Sequence, residues 1–346
     1  MRIVVNDIAA STGGALTVLR DFYNCVKEND KENEWIFLLG DNILEETENI
    51  KIITLPEIKH SHKKKMLFDF FTGKKFINSL KPDVFFSLQN IITFGLKMPK
   101  VVYIHQSIPF QTQKKFSFFK RNERKLAVYQ YLIGFIIKLS AKKADKVIVQ
   151  TNWMKKAVCK QCGLSDKRVL KISPIVNSLD LNNEDSFDQN YFFYPTSPAV
   201  YKNNDLIFNA CEILDNKKLN YEVALTINNN QYNEKIKCVG RLPYKEVIKN
   251  YAKSTLIFPS YIETFGYPIA EARMVGTVIL ASDCPFSHEI LENYENAYFF
   301  DPFEPKELAE LMEKVITGKI TKNDVLNPVI DVEDSWLEVI RAITEV

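Results

Sequence analysis

The sequence has 346 residues, 46% of them hydrophobic and 25% charged, with a formal net charge of +2. This composition excludes a disordered or collagen-like chain, and the length exceeds the roughly 250–300 residues that one core serves, so two domains are expected. The charges are unevenly placed: residues 59–146 hold 19 Lys and Arg against 4 Asp and Glu, which leaves 26 against 39 elsewhere. The first half therefore carries a basic region.

Six cysteines lie scattered along the chain, the pattern of reduced thiols in a cytoplasm. Cys159 and Cys162 form a lone CxxC without two further ligands nearby, so neither a metal nor a redox centre is expected. The first residues run straight into a strand, with no signal peptide. The longest apolar stretch, residues 126–139, is interrupted by Gln130 and Lys138 and is too short to span a bilayer.

In chain order, Arg2 to Val5 reads as a first buried strand. A loop with Gly13 and Gly14 follows, then a helix with Leu16, Leu19, Phe22 and Tyr23 on one side. Strand, Gly-Gly, helix is the opening of a dinucleotide-type unit, although a Gly-Gly pair alone is most often a plain turn. Strand-like runs recur at residues 35–39, 51–55, 84–88, 101–105 and 147–151, with helical stretches between several of them. This alternation predicts a parallel sheet with helices on both faces. His105 ends one of these strands, at the carboxyl edge where open α/β sheets place ligands. Within the basic region, Lys63 to Lys65 adjoin Phe68, Phe70 and Phe71, and Lys114, Lys115, Lys120 and Arg121 interleave with Phe116, Phe118 and Phe119. Aromatic rings among Lys and Arg suit an anionic membrane surface. No nucleic-acid recognition motif accompanies them.

Residues 173–190 are rich in Asn, Asp and Ser. The predicted organisation is an N-terminal Rossmann-like domain over 1–175, a linker over 176–190, a C-terminal Rossmann-like domain over 191–330, and a final helix over 331–346 crossing back to the N-domain. The second half repeats the pattern, with strands at 191–194, 221–226, 236–239, 256–258, 278–281 and 297–300. The most informative stretch is residues 254–276. An apolar strand there leads through a loop containing Glu263 and Gly266 into a helix carrying Glu271. Free amides and the positive end of a helix dipole favour an anion. Two flanking carboxylates accept hydrogen bonds from hydroxyls. Diphosphate together with hydroxyls describes a sugar nucleotide.

Glu263 and Glu271, with Phe258-Pro259-Ser260 before them, Phe265-Gly266-Tyr267-Pro268 between them and Ala270-Glu271-Ala272 in register, resemble the E-x7-E signature of retaining glycosyltransferases of family four. The resemblance covers essentially the whole chain and is strongest over residues 239–315. It implies a GT-B fold, two Rossmann-like domains facing each other across a cleft. It implies that Gly13 and Gly14 face donor phosphate and acceptor, that His105 contacts the sugar or acceptor side, and that Lys202 neutralises the diphosphate. Ser197 stands where the family usually has Arg, which removes one cation. Arg241, in Val239-Gly240-Arg241-Leu242, resembles the loop near the nucleotide base. Thr264, Phe265 and Gly266 would offer backbone amides to the phosphates, Glu263 would bind sugar hydroxyls and Glu271 ribose hydroxyls.

By the same resemblance, transfer is retaining and proceeds without a protein nucleophile. The sequence contains no Asp-x-Asp, so no metal or other cofactor is expected besides the nucleoside-diphosphate sugar itself. The implied protein is a hexosyltransferase acting on a lipid-linked oligosaccharide in capsule or O-antigen synthesis. It would be cytoplasmic and peripheral on the inner face of the membrane. A sugar-nucleotide 2-epimerase and a non-catalytic scaffold share the architecture. The first is set apart by needing no acceptor, and the second is favoured by Ser197.

Overall fold

The computed structural model describes residues 1–10, 14–176, 186–228, 234–323 and 335–346. The chain divides into two units, Met1–Ile175 with Val332–Val346, and Val176–Asp331. In the first, β1 (Arg2–Asp7), β2 (Glu34–Leu39), β3 (Ile50–Thr54), β4 (Val84–Ser87), β5 (Lys100–Ile104), β6 (Lys146–Val149) and β7 (Val169–Lys171) form one sheet. Its spatial order is β3-β2-β1-β4-β5-β6-β7, and every pairing is parallel. In the second unit, β8 (Tyr191–Tyr194), β9 (Glu222–Leu225), β10 (Ile236–Cys238), β11 (Thr255–Phe258), β12 (Ile279–Ser282) and β13 (Ala297–Phe300) lie in the order β10-β9-β8-β11-β12-β13, again parallel.

Parallel strands covered on both faces need apolar residues at successive positions. Ile3, Val4 and Val5 are all fully buried. Ile3 and Val5 join Phe37 and Phe86 beneath Leu19 and Phe22. Val4 joins Phe85 and Val102 on the opposite face, beneath Ile77, Ile137 and Val158. In each sheet the strand order reverses beside the first strand, between β1 and β4 and between β8 and β11. At that reversal the loops leave in opposite directions and open a crevice at the carboxyl edge. His105 stands just beyond β5, as the first residue of a loop.

The helix Ser335–Thr344 belongs to the first unit. Trp336 packs against Phe22 (5.6 Å between ring centres) and Tyr103 (5.7 Å), and Lys146 Nζ donates to the carbonyls of Ala342 (3.2 Å) and Glu345 (3.0 Å). The opposite face is covered by the helical stretches 62–79 and 124–143, each with one wide, π-type turn, at Phe68–Thr72 and Val128–Ile133. Gly134 follows the second; a Cβ there would lie 2.9 Å from Pro109 Cβ and 3.0 Å from the Tyr129 carbonyl.

The basic aromatic segments divide in a way their sequence does not reveal. Phe68 and Phe116 are core residues, whereas Phe71 (67% exposed) and Phe119 (95%) face outward. Lys65 turns inward to Asp69, and Lys114 pairs with Glu123. Lys63, Lys64, Lys115 and Arg121 remain exposed. Among the described residues, no helix is long and apolar enough to cross a membrane.

Replacing Trp336 with Ala is expected to destabilise the chain by about 3–5 kcal/mol, the range for emptying a buried aromatic site. Denaturant unfolding followed by Tyr and Trp fluorescence measures this. A loss below about 1 kcal/mol would mean the helix contributes little to the first unit.

Candidate functional site

In the second unit, β11 ends at Phe258 and the chain turns through Pro259 and Ser260 to Glu263. Ser260 Oγ donates to Glu263 Oε1 at 2.7 Å, and Ser282 Oγ of the neighbouring strand donates to the Ser260 carbonyl at 2.5 Å. Lys202 Nζ meets the same Glu263 oxygen at 2.5 Å, with both side chains about five-sixths covered (17% and 16% exposed). Lys202 comes from the loop after β8, on the other side of the strand-order reversal. Its backbone is held by Tyr194 OH, which donates to the Lys202 carbonyl at 3.1 Å. Next to it, Asn203 adopts a left-handed conformation (φ 60°) and donates to the Pro302 carbonyl at 2.6 Å. Burial works against the Lys202 charge, but Glu263 and Tyr194 keep the pKa of the ammonium above its ordinary value. Burial also pushes Tyr194 well above the usual phenol range, so its hydroxyl stays a donor.

Gly266 precedes the helix Tyr267–Met274 with φ +94°. A side chain is strained there, and a Cβ would press to 3.2 Å from Ile269. Thr264 lies in the same loop, partly exposed. The Phe265 side chain is buried and packs edge-on against Tyr267 at 5.2 Å, which leaves its backbone as the part that could meet a ligand. Glu271, on the first turns of that helix, accepts from the buried Tyr251 hydroxyl at 3.2 Å. Burial raises the Glu271 carboxyl, against the hydrogen bonds from Tyr251 and Tyr244 that lower it.

Ser197 and Arg241 share a cavity of about 450 Å³. It is lined by residues 195–198 after β8, by Thr226–Asn228 after β9, and by Arg241 and Leu242 after β10. Thr226 ties the first two loops together: its hydroxyl accepts from Thr196 N at 2.7 Å and donates to the Thr196 carbonyl at 2.9 Å. Gly240 has φ +70°, and a Cβ there would strike Asn228 Oδ1 at 2.7 Å. Arg241 is exposed and forms no ion pair among the described residues. The cavity that lacks Arg at position 197 thus has a guanidinium on its opposite wall.

In the first unit, His105 is enclosed after β5. Burial pushes its pKa down to about 4, so the ring is neutral at pH 7. Asn90, in the loop after β4, bonds its backbone and its ring. Asp7 ends β1 and is 3% exposed. Burial raises its pKa to about 7, opposed by the Lys65 ammonium. Gly14 opens the helix Gly14–Asn29, and a Cβ added to it would meet nothing within 4 Å. Gly13 lies outside the described residues. The residues singled out by sequence therefore fall into two sets: His105 and Gly14 in the first unit, and Ser197, Lys202, Arg241, Glu263, Thr264, Phe265, Gly266 and Glu271 in the second. Among the described residues no cluster of three or more His, Cys, Asp or Glu could hold a metal ion.

Residues 190–327 match the profile of the family described as Glycosyl transferases group 1. A curated relative of this chain is the O-antigen chain mannosyltransferase RfbU of Salmonella typhimurium, 22% identical over 231 residues. That match takes in 62% of this chain and spans 60% of the relative's own length. Among solved structures, Anabaena HepE in complex with UDP has a TM-score of 0.65 at 16% identity over all of both chains. WaaG, a glycosyltransferase involved in lipopolysaccharide biosynthesis, has a TM-score of 0.69 at 14% identity over 99% of each. These likenesses give the fold, GT-B.

Three side chains of the second unit were not legible as site residues in the sequence. Ser260 orients Glu263, and Tyr244 and Tyr251 hold Glu271; a lone Ser and two Tyr carry no spacing signal. In the first unit the same holds for Asp7 and Asn90.

Asp7 yields a pH prediction. Its unfolded carboxyl titrates near 3.8 and its folded one near 7. The folded state therefore binds the extra proton in this window, and stability falls as pH rises through it. Asp7→Asn should stabilise the protein at pH 8 by on the order of 2 kcal/mol, and by little at pH 4. Unfolding at the two pH values tests this. Equal effects at both would show that Asp7 is ionised in the folded chain.

Proposed function

We propose that the protein is a retaining, metal-independent glycosyltransferase that moves a hexose-type sugar from a nucleoside diphosphate to a lipid-linked oligosaccharide in surface-polysaccharide synthesis. The observation that carries this reading is the Lys202–Glu263–Ser260 constellation at the strand-order reversal of the second unit, which also holds the cavity of Ser197 and Arg241. The cavity takes the base and ribose, with Glu271 accepting from the ribose hydroxyls. Lys202 and the amides of Thr264, Phe265 and Gly266 meet the diphosphate, where charge grows as the glycosidic bond breaks. Preorganised donors of this kind commonly contribute more to the rate of such a reaction than any other single effect. The Lys202 ammonium has three N–H groups, so it can bond a phosphate oxygen while keeping Glu263. Arg241 supplies the cation that Ser197 does not. Glu263, its orientation fixed by Ser260, accepts from sugar hydroxyls.

The acceptor oxygen attacks the anomeric carbon from the side the diphosphate leaves, and the departing phosphate takes the acceptor's proton. The carbon–oxygen bond to phosphate breaks as the new one forms, and no protein nucleophile intervenes. Gly13 and Gly14 are assigned to the phosphate and acceptor side, and His105 to the sugar. The named activity of RfbU, an O-antigen chain mannosyltransferase, and the UDP-glucose held by HepE support this substrate class.

The lipid-linked acceptor rests on the first unit. Met66, Leu67, Phe71, Leu132 and Phe135 are more than half exposed, on the two helical stretches that cover one face of the first sheet. Exposed Lys63, Lys64, Lys74, Lys75, Arg124 and Lys125 accompany them. This reading puts the protein on the cytoplasmic side of the cell membrane, bound to anionic lipid.

A panel of UDP-, GDP- and dTDP-sugars should contain one that stabilises the protein by about 2.7 kcal/mol at a hundred times its dissociation constant. Lys202→Met should abolish that stabilisation and reduce transfer by about 10²–10³-fold. If no nucleotide sugar shifts the melting curve, the reading fails. Turnover of a nucleotide sugar with no acceptor present would indicate an epimerase.

Reversing Lys63, Lys64, Lys115 and Arg121 to Glu should lower binding to vesicles containing phosphatidylglycerol at least about a hundredfold, since each basic residue near such a surface is worth about 1 kcal/mol. Neutral vesicles should show no comparable change. Sedimentation with both vesicle types measures this. Unchanged binding would remove the anionic surface from the proposal.

A further inference from the structure

The loops after β4 and β5 are joined by a single side chain. Asn90 Oδ1 accepts from the backbone N–H of His105 at 2.8 Å and of Gln106 at 2.9 Å. Asn90 Nδ2 lies 3.1 Å from His105 Nε2. Asn90 itself has φ +67°, a left-handed conformation in which Asn is one of the few tolerated side chains. The loop after it is pinned by Ser87 Oγ, which donates to the Ile91 carbonyl at 2.7 Å.

The chemistry of these groups leaves one assignment. Two backbone N–H groups can only donate, so the amide atom facing both must be the oxygen. The amide nitrogen then faces Nε2, and an amide nitrogen can only donate. Nε2 therefore lends its lone pair. We infer that Asn90 is a positioning residue which locks His105 as the neutral Nδ1–H tautomer and commits Nε2 to itself. A ring pKa pushed to about 4 by burial agrees with a single ring hydrogen at pH 7.

This assignment deepens the proposed function and rests on it only for its mechanistic meaning. With Nε2 occupied, His105 has no lone pair with which to take a proton from an attacking hydroxyl. It cannot serve as the base for transfer, and the acceptor's proton must go elsewhere.

The test uses the full chain, labelled with ¹⁵N, without any sugar nucleotide. The sequence has four His, and a His105→Gln spectrum identifies the ring in question by the signals it removes. Two-bond ¹H–¹⁵N correlations at pH 7 should show His105 as Nδ1–H, with no titration down to about pH 5. Asn90→Asp keeps an acceptor for the two backbone amides but puts a second acceptor opposite Nε2. It should move the hydrogen to Nε2 and raise the ring pKa by at least about one unit. Asn90→Gly tolerates the positive φ and should give a mixture of tautomers. An Nε2–H ring in the unaltered protein would overturn the inference, as would an unchanged tautomer and titration in Asn90→Asp or a single Nδ1–H form in Asn90→Gly. Because the readout needs no donor sugar, it stands or falls apart from the glycosyltransferase reading.

Discussion

Lys202 and Glu263 meet as an ion pair in a place where burial works against the Lys202 charge. Taking a single charge out of water costs several kcal/mol, and these two side chains are each mostly covered. The arrangement is possible because the strand order reverses between β8 and β11, which brings two loops that are 61 residues apart in sequence to one point. Asn203 in its left-handed turn, Tyr194 beneath the Lys202 carbonyl and Ser260 beside the carboxylate all fix this meeting. Gly266 and the helix it opens add the amides of a helix start on the same side of the strand. The site is therefore a property of the topology first and of its residues second.

Much of the fold could be read from sequence because parallel strands buried on both faces leave a conspicuous pattern. The runs at 2–5, 35–39 and 256–258 needed no tertiary knowledge to recognise, and the structure extends the first to Asp7 and the last back to Thr255. The positions of Glu263, Gly266 and Glu271 on loop, cap and helix also followed from local pattern. The pairing of Lys202 with Glu263, and the closeness of Ser197 to Arg241, did not, because they depend on which strands become neighbours. Burial was the other hidden variable. Phe68 and Phe71 differ by three positions and look alike as letters, yet a wide helical turn sends one into the core and the other to the surface. Lys65 reads as one of three basic residues in a row, but the carboxylate of Asp69 one turn on draws it inward.

The two units repeat one architecture with different electrostatics. The second gathers charge at its carboxyl edge in Lys202, Glu263 and Arg241. The first places there a ring that burial keeps neutral at pH 7, His105, and a carboxyl that burial raises to about 7, Asp7. Neutral donors and acceptors read hydroxyls without attracting phosphate, whereas paired charges and helix-start amides favour it. This contrast supports the proposal that the second unit takes the donor phosphates and the first the acceptor hydroxyls.

The helix Ser335–Thr344 completes the first unit although the whole second unit intervenes in the chain. During synthesis the first sheet emerges before the whole second unit, and the cover over Phe22 and Tyr103 only after it. Until then that apolar face stays wet and sticky, a natural target for a chaperone. Loss of the helix Ser335–Thr344 would consequently harm the unit that begins more than 300 residues earlier.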